Sequence, residues 1–531
     1  MLSTMFWADK VLKKIQINYK DKIKTGKPIV IRDEKTASGR VHVGSLRGVA
    51  IHGVVAELLT ETDIKNKYFF EINDFDPMDG LPVYLDQKKF ASFMGKPLCE
   101  VPSPDNKAKN YAEYFAQEFV QVIKETGFTP EYYRSSEMYR GGKFNDYIRL
   151  ALENADKIIE IYKRVSGSQK EENWLPLNVI CEKCGKVGTT RATDFDGQTV
   201  AYTCGDYVEW ANGCGNKGRV SPFDGNAKLP WKVEWAAKFS VMNVDVEGGG
   251  KDHSTKGGSR QIADAISREI FHREPPLNIP YEFFLVGGKK MSSSKGAGSS
   301  SREVADLLPP ELLRFLLIQK EPQRVIDFIP DGDTIPVLYD TYDKFAENYF
   351  SGQKDDFAKV FQLAHLPADR TLIKQTVLPR FSQVAYLVQM PHVDTVKEIE
   401  KLVEKTLGPD DLLELERRAK YAKIWLQTWA PEDYKFEIQQ NVPEVAKSFT
   451  SEQKIALNKV YEYVKNTPVT DGQNFHIKLH EIKTELNIPA GDFFSAIYLS
   501  ILGKKNGPKA GWFLSVLPKD FLEKRLQEVS R

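Results

Sequence analysis

The sequence is poor in cysteine, has no long apolar run and carries almost no net charge. Only five cysteines occur in 531 residues, which argues against a disulfide framework. No stretch approaches the roughly 18 consecutive apolar residues of a membrane span, and residues 1–20 lack the apolar core of a signal peptide. With 74 Lys and Arg against 73 Asp and Glu, only a local basic surface would attract a nucleic acid. We therefore expect a globular, cytoplasmic protein.

The two halves of the chain have different patterns. Short apolar, β-branched or aromatic runs at 28–31, 68–72 and 281–286 lie beside glycine-rich loops and alternate with helical patterns such as 46–59. This alternation predicts an α/β fold with a parallel sheet. The second half contains amphipathic stretches at 311–319, 396–407, 412–429 and 455–464, so it is predicted to be mostly helical.

The first candidate site follows the strand predicted at 29–31. A polar loop leads to His42, Val43, Gly44 and Ser45, and the helical pattern of 46–59 begins directly after them. Such a turn is expected to present unpaired backbone N–H groups and the positive end of a helix dipole to an anion. His42 is suited to donate to a phosphate oxygen, and Gly44 lets adenine or phosphate approach the backbone. An isolated pattern of this kind is also common at an ordinary helix start.

The second candidate site follows the strand predicted at 281–286. Residues 287–296 read GGKKMSSSKG, a cationic loop able to close over a triphosphate and to stabilise the charge on a departing pyrophosphate. A solvated linker is the alternative. The chain has no Walker A motif, and no G-x-G-x-x-G follows the first strand, which argues against dinucleotide redox chemistry.

Four of the five cysteines lie close together in the sequence. Two residues lie between Cys181 and Cys184, nineteen between Cys184 and Cys204, and nine between Cys204 and Cys214. Four thiolates fill the tetrahedral shell of Zn²⁺ and leave no open position. The spacing predicts one structural zinc in a module at about 178–220, with unligated cysteines as the alternative.

Both candidate sites, in this order and before a helical C-terminal half, resemble the signatures of the class I aminoacyl-tRNA synthetases. The His-Ile-Gly-His signature of that family corresponds to His42–Ser45, and the Lys-Met-Ser-Lys-Ser loop to Lys290–Ser294. Ser45 replaces the second histidine, and Ser293 replaces the second lysine.

Within this family the chain resembles class I lysyl-tRNA synthetase over nearly its whole length. Ala37 stands where that branch usually has proline, and Glu34 where it usually has glycine. The matching segments are 36–44, 73–77, 229–235, 250–253 with 257–259, 281–284, 290–294, 310–314 and 496–503 with 507–508.

The resemblance implies ATP-dependent, Mg²⁺-assisted activation of lysine, followed by transfer of the lysyl group to the terminal ribose of tRNA(Lys). It implies catalytic roles for His42, Gly44, Ser45, Lys290 and Ser293. It implies ATP contacts from Ser38, His42, Gly44, Ser45, Asp252, Lys290, Met291, Ser292 and Ser294. It places the lysine pocket near Thr36, Trp235, His253 and Tyr281.

A bound lysine ammonium needs a carboxylate or another acceptor, and its methylenes need an aromatic wall. The sequence offers several acidic residues for this role, each of which is equally typical of a solvated surface. They are Glu34, Asp74, Asp76, Glu234 and Asp252.

The resemblance also implies a domain order. Residues 1–300 would form the catalytic nucleotide-binding domain, with an insertion at about 80–230, residues 301–390 a helical connecting domain, and residues 391–531 an α-helical anticodon-binding domain. Basic and aromatic residues of the helical half are candidates for RNA contact or for a solvated helix face. They are Arg314, Arg417, Arg418, Lys420, Tyr421, Lys423 and Trp425, with a further basic turn at 504–509.

Two other functions stay open at this point. The first is a sibling class I synthetase that charges another amino acid. The second is a non-catalytic tRNA-binding paralogue that keeps the fold and has lost activation, which the substitutions at Ser45 and Ser293 leave open.

Overall fold

The structure is a computed structural model that describes residues 5–288, 299–390, 392–467 and 471–531. Its strands are β1 Ile29–Thr36, β2 Asn66–Asn73, β3 Glu131–Arg134, β4 Asn178–Val179, β5 Thr190–Phe195, β6 Val200–Cys204, β7 Lys217–Val220, β8 Ala227–Lys228, β9 Gly249–Gly250, β10 Pro280–Tyr281, β11 Phe284–Val286 and β12 Ile326–Phe328.

The helices of the first part of the chain are α1 Trp7–Asn18, α2 Lys20–Lys24, α3 Ser45–Glu61, α4 Gln87–Ala91, α5 Tyr111–Glu125, α6 Ser135–Arg140, α7 Asn145–Glu153, α8 Ala155–Ser166, α9 Trp231–Val241, α10 Lys251–Ser254, α11 Ser259–Glu269, α12 Ser301–Ala305 and α13 Pro310–Ile318. Those of the second part are α14 Thr334–Phe350, α15 Asp356–Ala364, α16 Phe381–Leu387, α17 Thr395–Val403, α18 Pro409–Thr428, α19 Ser451–Asn466, α20 Gly472–Glu485, α21 Ala490–Leu502, α22 Ala510–Ser515 and α23 Lys519–Ser530. Among these helices, none combines the length and the apolar character of a membrane span.

A parallel sheet organises the first half, as the sequence pattern predicts. β1 pairs with β2 from Ile29 opposite Asn66, and β2 pairs with β3. On the other side of β1, Val246 bridges Ile31, and β9 pairs in parallel with β10. The carboxyl ends of these strands therefore meet at one edge, where α/β folds bind ligands.

Helix α3 crosses from β1 to β2 and is buried on nearly every side. Thirteen of its seventeen residues are inaccessible, and it packs against both strands and against α1 and α13. A helix that is apolar all round belongs in a core. The start of this helix is thereby fixed at the edge where β1 ends.

The segment 281–286, predicted as one strand, is two strands with different partners. Tyr281 pairs with Gly250, whereas Phe284–Val286 pairs with Ile326–Phe328. Between them the Glu282 backbone N–H donates to the Pro322 carbonyl. The prediction of a continuous strand was wrong, because an apolar run does not reveal that the chain changes partner within it. The short strand β12 in the mostly helical half was not predicted.

The cysteine-rich insertion is built on antiparallel pairs. β4 pairs with β8, and β5, β6 and β7 form a three-stranded sheet.

The chain divides into two compact units, Met1–Ile329 with Lys344–Ile373, and Pro330–Asp343 with Lys374–Arg531. The second unit is helical and has an aromatic core. Tyr339 stacks on Phe381 at 4.2 Å between ring centroids, and the Trp425 indole N–H donates to the Pro330 carbonyl at 2.8 Å.

Three residues that were candidates for RNA contact or for a solvated helix face lie inside the protein. Arg314 and Trp425 are fully buried, and Arg418 is 1% exposed. In the first unit, Arg314 donates to the Thr126 carbonyl at 2.8 Å and pairs with Glu57 at 2.9 Å. Both sequence interpretations of these three residues are therefore wrong, and their role is structural.

In the second unit, Arg418 connects the middle of α18 to neighbouring segments by hydrogen bonds. Its guanidinium donates to Asp343 Oδ2 at 2.9 Å, to Glu414 Oε1 at 2.7 Å and to the Pro379 carbonyl at 2.8 Å. All these partners are mostly buried, so the arginine compensates charges that have little access to water.

Arg418→Ala is expected to lower the free energy of unfolding by about 3–5 kcal/mol, because it removes one partner from the buried ion pairs that Arg418 makes with Asp343 and Glu414. Urea unfolding followed by circular dichroism measures the change. The control is Lys420→Ala, on the exposed face of the same helix, which should stay within about 0.5 kcal/mol of the unmodified protein. Equal midpoints for both variants would contradict the structural role of Arg418.

Candidate active-site cleft

A cleft of about 790 Å³ opens at the carboxyl ends of β1, β2 and β9. It brings together residues from distant parts of the sequence. Every described residue to which the family resemblance gives an ATP or lysine contact lines this cleft, namely Thr36, Ser38, His42, Gly44, Ser45, Trp235, Asp252, His253 and Tyr281. The predicted residues Lys290, Met291, Ser292, Ser293 and Ser294 lie outside the described residues.

The turn between β1 and α3 differs from the predicted anion cradle. The backbone N–H groups of Ser45 and Leu46 donate to the carbonyls of His42 and Val43 at 3.1 and 2.9 Å. The expectation of unpaired N–H groups is thus wrong at the first two positions of α3, because the turn before the helix already pairs them. The positive end of the α3 dipole remains at the cleft.

Gly44 is required here by its neighbour. A Cβ atom at this position would lie 2.9 Å from Nδ1 of His42 and 3.5 Å from the Phe284 carbonyl oxygen. Any larger residue would displace the imidazole ring. The glycine therefore keeps His42 close to the start of α3.

The segment just after the predicted lysine-serine loop pairs with the first motif. Ser301 N–H donates to the Val41 carbonyl at 2.8 Å, Val43 N–H donates to Ser299, and His42 bridges Ser300. The first motif thus lies beside the segment that follows the second motif, although the two motifs are about 250 residues apart in the sequence.

A buried arginine forms one part of the cleft floor. Arg32 is fully buried and donates to Glu247 Oε1 and Glu71 Oε2, each at 2.6 Å, and also to Glu34. The Tyr133 hydroxyl donates to Glu71 at 2.6 Å and accepts from Arg32 Nε at 2.7 Å. These contacts cross-link β1, β2, β3 and the segment before β9.

Two lysines extend this network beneath the cleft. Lys238 Nζ lies 2.7 Å from Glu71 and 2.8 Å from Glu34. Lys228 Nζ lies 2.6 Å from Glu234 and 3.0 Å from Asp76. We call Arg32, Lys228, Lys238, Glu34, Glu71, Asp76, Glu234 and Glu247 the floor network.

The floor network holds three cations and five carboxylates. Burial alone would raise the pKa of Glu34, but Lys238 and Arg32 lower it well below its usual range. Burial would lower the pKa of Lys238, but Glu234, Glu34 and Glu71 raise it well above its usual range. Burial raises the pKa of Glu247, although Arg32 opposes this. The floor network thus has two more carboxylates than cations, and its members Glu34, Asp76 and Glu247 line the cleft together with Lys228.

An aromatic wall stands beside the floor network. Trp235 donates its indole N–H to Glu247 Oε1 at 2.7 Å, which fixes the ring. Trp231 stacks on it at 5.5 Å between centroids, and His253 meets Trp231 edge-on at 4.9 Å. An apolar chain ending in a cation fits between such a wall and such a floor.

The acidic residues suggested as partners of the substrate ammonium differ in whether they line the cleft. Glu34, Asp76 and Asp252 line the cleft. Asp76 Oδ2 also accepts from the hydroxyl of Thr36 at 2.8 Å. Asp74 does not line the cleft, because its carboxylate accepts from the Ser136 hydroxyl and backbone N–H at 2.6 and 2.9 Å.

Sequence reasoning missed Glu247, Glu71, Lys228 and Lys238. One local signal existed, since Glu234 and Lys238 are four residues apart on α9, the spacing that places two side chains on one helix face.

The four cysteines of the insertion form one cluster. Their sulfur atoms all lie within 4.8 Å of one another, and the structure places Cys181 Sγ 3.6 Å from Cys214 Sγ and Cys184 Sγ 3.7 Å from Cys204 Sγ. Sulfurs around a tetrahedral zinc at about 2.3 Å are separated by about 3.8 Å. The arrangement fits a four-thiolate metal site.

Comparison with known proteins agrees with these observations. The family model described as tRNA synthetases class I (K) matches residues 5–368, and the anticodon binding domain model matches residues 414–530. Lysine–tRNA ligase of Methanosarcina barkeri strain Fusaro is 32% identical over 550 residues, covering 100% of this chain and 98% of that protein. Lysine–tRNA ligase 1 of Methanosarcina acetivorans is 33% identical over 551 residues, covering 99% and 98%.

Among solved structures, a glutamate tRNA ligase from Elizabethkingia meningosepticum in complex with its amino acid has a TM-score of 0.40 to this chain. The two are 12% identical, and the match covers 95% of this chain and 99% of that one.

Lys35 lines the cleft between Glu34 and Thr36, and burial lowers its pKa to about 8, although Asp33 and Glu34 oppose this. The amine should therefore be protonated below pH 8 and mostly neutral above it. Reductive ¹³C-methylation and NMR titration, with Lys35→Arg to assign the signal, is expected to give a midpoint near the lowered value. A midpoint at the ordinary 10.5 would contradict the burial of this side chain.

Proposed function

Since the chain belongs to the tRNA synthetases class I (K) family, we propose that it is a lysine–tRNA ligase that activates lysine with ATP and transfers it to tRNA(Lys). The observation that carries the proposal is the single cleft. It combines the described part of the nucleotide motif with an aromatic wall and an acid-rich floor. The relatives named as lysine–tRNA ligases, aligned over nearly their whole length, support the same substrate.

In the first step, a carboxylate oxygen of lysine bonds to the α-phosphorus of ATP, and the bond to pyrophosphate breaks. A carboxylate is already ionised near neutral pH, so the protein has to position the reactants and stabilise charge. We assign this work to His42, to the N-terminus of α3 and to Lys290. Mg²⁺ on the ATP phosphates supplies Lewis-acid neutralisation of their charge.

In the second step, a hydroxyl oxygen of the terminal ribose bonds to the lysyl carbonyl carbon, the bond to AMP breaks, and the hydroxyl proton passes to a phosphate oxygen of the departing AMP. No protein nucleophile is needed in either step. The remaining cleft residues hold the reactants, with Ser38, Gly44, Ser45 and Asp252 assigned to ATP.

The lysine side chain is proposed to lie along Trp235 and Tyr281, with its ammonium toward the floor network. Two observations support this orientation. The floor has more carboxylates than cations, and Glu34 and Asp76 both reach the cleft. A ligand ammonium would supply the missing positive charge, and a buried charge without a partner is strongly unfavourable. Thr36 and His253 complete the pocket.

The four cysteines are proposed to hold one structural Zn²⁺. Their sulfur separations match a tetrahedral thiolate shell, which has no position left for a substrate. A cytoplasmic location suits this site, because reducing compartments keep thiols available as ligands.

For the domain order, we propose a catalytic domain over 1–300, a connecting region over 301–390 and an anticodon-binding domain over 391–531. The family-model matches to 5–368 and 414–530 support a catalytic part followed by an anticodon-binding part.

The function is tested by charging total tRNA with ATP, Mg²⁺ and each of the twenty amino acids in turn. Lysine alone should be attached. His42→Ala is expected to reduce charging by about 100-fold or more, whereas His272→Asn, which removes an exposed imidazole that does not line the cleft, should not change it. Attachment of another amino acid would identify a sibling synthetase. No attachment by folded protein would identify a non-catalytic tRNA-binding paralogue.

Cys184→Ser is expected to lower zinc content from one ion per chain to nearly none and to lower the melting temperature, because metal binding stabilises the folded insertion. Elemental analysis and calorimetry measure the two effects. Cys99→Ser is the matched control, since Cys99 lies outside the cluster. Full zinc retention by Cys184→Ser would contradict the four-thiolate site.

A further inference from the structure

The cysteine module forms part of the cleft wall, on the side where β2 ends. Asn178, Val187, Gly188, Val208 and Trp210 all line the same cleft as the candidate catalytic residues. None of these residues belongs to the predicted ATP or lysine sites.

Trp210 is held firmly by its surroundings. Its ring packs on the backbone of Gly188, where a Cβ atom would lie only 2.4 Å from Cη2 of the indole. The N–H groups of Val187 and Gly188 donate to the Gly95 carbonyl at 2.8 and 3.0 Å. The same hypothetical Cβ would lie 3.2 Å from Pro77, which follows the end of β2.

The loop that carries Trp210 is bounded by two cysteines of the cluster, Cys204 and Cys214. Within it, Val208 bridges Ala211, and Gly213 N–H donates to Asp206 Oδ1 at 2.8 Å. The position of the tryptophan therefore depends on the cluster.

The face of Trp210 remains available to a ligand. The ring is half-buried, and within the part of the chain that the structure describes no aromatic ring or cation stacks on it.

A flat aromatic face that lines a cleft is suited to bind an unpaired base by stacking. The reaction brings one such nucleotide into this cleft, the 3′-terminal nucleotide of tRNA. ATP is the other source of a base, and its predicted contacts at Gly44 and Asp252 lie at the start of α3 and in α10, on elements outside the cysteine module that carries Trp210.

We infer that Trp210 is the stacking platform for the 3′-terminal nucleotide of tRNA, and that the cysteine cluster positions it. This inference rests on the proposed function, because only an acceptor RNA has to place its last ribose beside the adenylate. It makes Trp210 a positioning residue for the second step. It also gives the metal module a role in substrate binding besides its role in stability.

The test uses the full-length protein and a tRNA(Lys) transcript whose terminal adenine is replaced by 2-aminopurine, a base whose fluorescence falls on stacking. The unmodified protein should quench the signal. Trp210→Ala should abolish the quenching and Trp210→Phe should retain part of it. Tyr207→Ala is the matched control, because it removes an exposed aromatic ring from the same loop and does not line the cleft.

Steady-state charging provides the second readout. Trp210→Ala should lower kcat/KM for tRNA by about 10- to 100-fold, the range for loss of one stacked base. The KM values for ATP and lysine should change less than about twofold, and zinc content should stay the same, which shows that the module is intact.

Quenching equal to that of the unmodified protein in Trp210→Ala would overturn the inference. So would a raised KM for ATP with an unchanged KM for tRNA, which would assign Trp210 to the adenine of ATP. Quenching by an unmodified protein that fails to charge lysine would support the stacking site and contradict the proposed function. The stacking site and the proposed function can therefore be contradicted independently of each other.

Discussion

The geometry of the cleft depends on a group of charged side chains that are largely removed from water and paired with one another. Arg32, Lys228 and Lys238 share five carboxylates, and most of these groups are inaccessible. Burying charge is unfavourable unless each group is paired and hydrogen-bonded. The strands β1, β2 and β3 and helix α9 each contribute members, so their relative positions are set by the need to satisfy these contacts. Three of these carboxylates, those of Glu34, Asp76 and Glu247, line the cleft, where the proposed substrate would bring a further cation.

The remaining walls of the cleft follow from this floor. Trp235 is oriented by its bond to Glu247, and Thr36 by its bond to Asp76. The cysteine module contributes Trp210, which lies on a loop bounded by two cysteines of the sulfur cluster. The proposal thus assigns three roles to different parts of one site. These roles are recognition of the substrate side chain, activation of the substrate and binding of the RNA end.

Part of this architecture could be predicted from the sequence. Apolar periodicity indicated β1, β2 and α3, and the spacing of four cysteines indicated their cluster, because both signals are local. Three acids of the floor network, Glu34, Asp76 and Glu234, were among the candidates for the substrate ammonium. The network itself could not be predicted, since its members are spread from Arg32 to Glu247 and each is a residue type that normally lies on the surface. For the same reason Arg314 and Arg418 were considered for solvent or RNA and are instead buried. The division of 281–286 into two strands depends on the distant segment 326–328, which no pattern within the run itself reveals.

The central claim is that the acid-rich floor binds the ammonium of the substrate. Calorimetric titration of the protein with L-lysine and with L-norleucine tests it most directly, with tRNA present and absent. Norleucine has the same carbon chain and the same α-ammonium and α-carboxylate, and it lacks only the side-chain ammonium. Lysine should bind at least about 30-fold more tightly, because norleucine leaves a buried carboxylate without its cation. Equal affinity for the two amino acids would contradict the account.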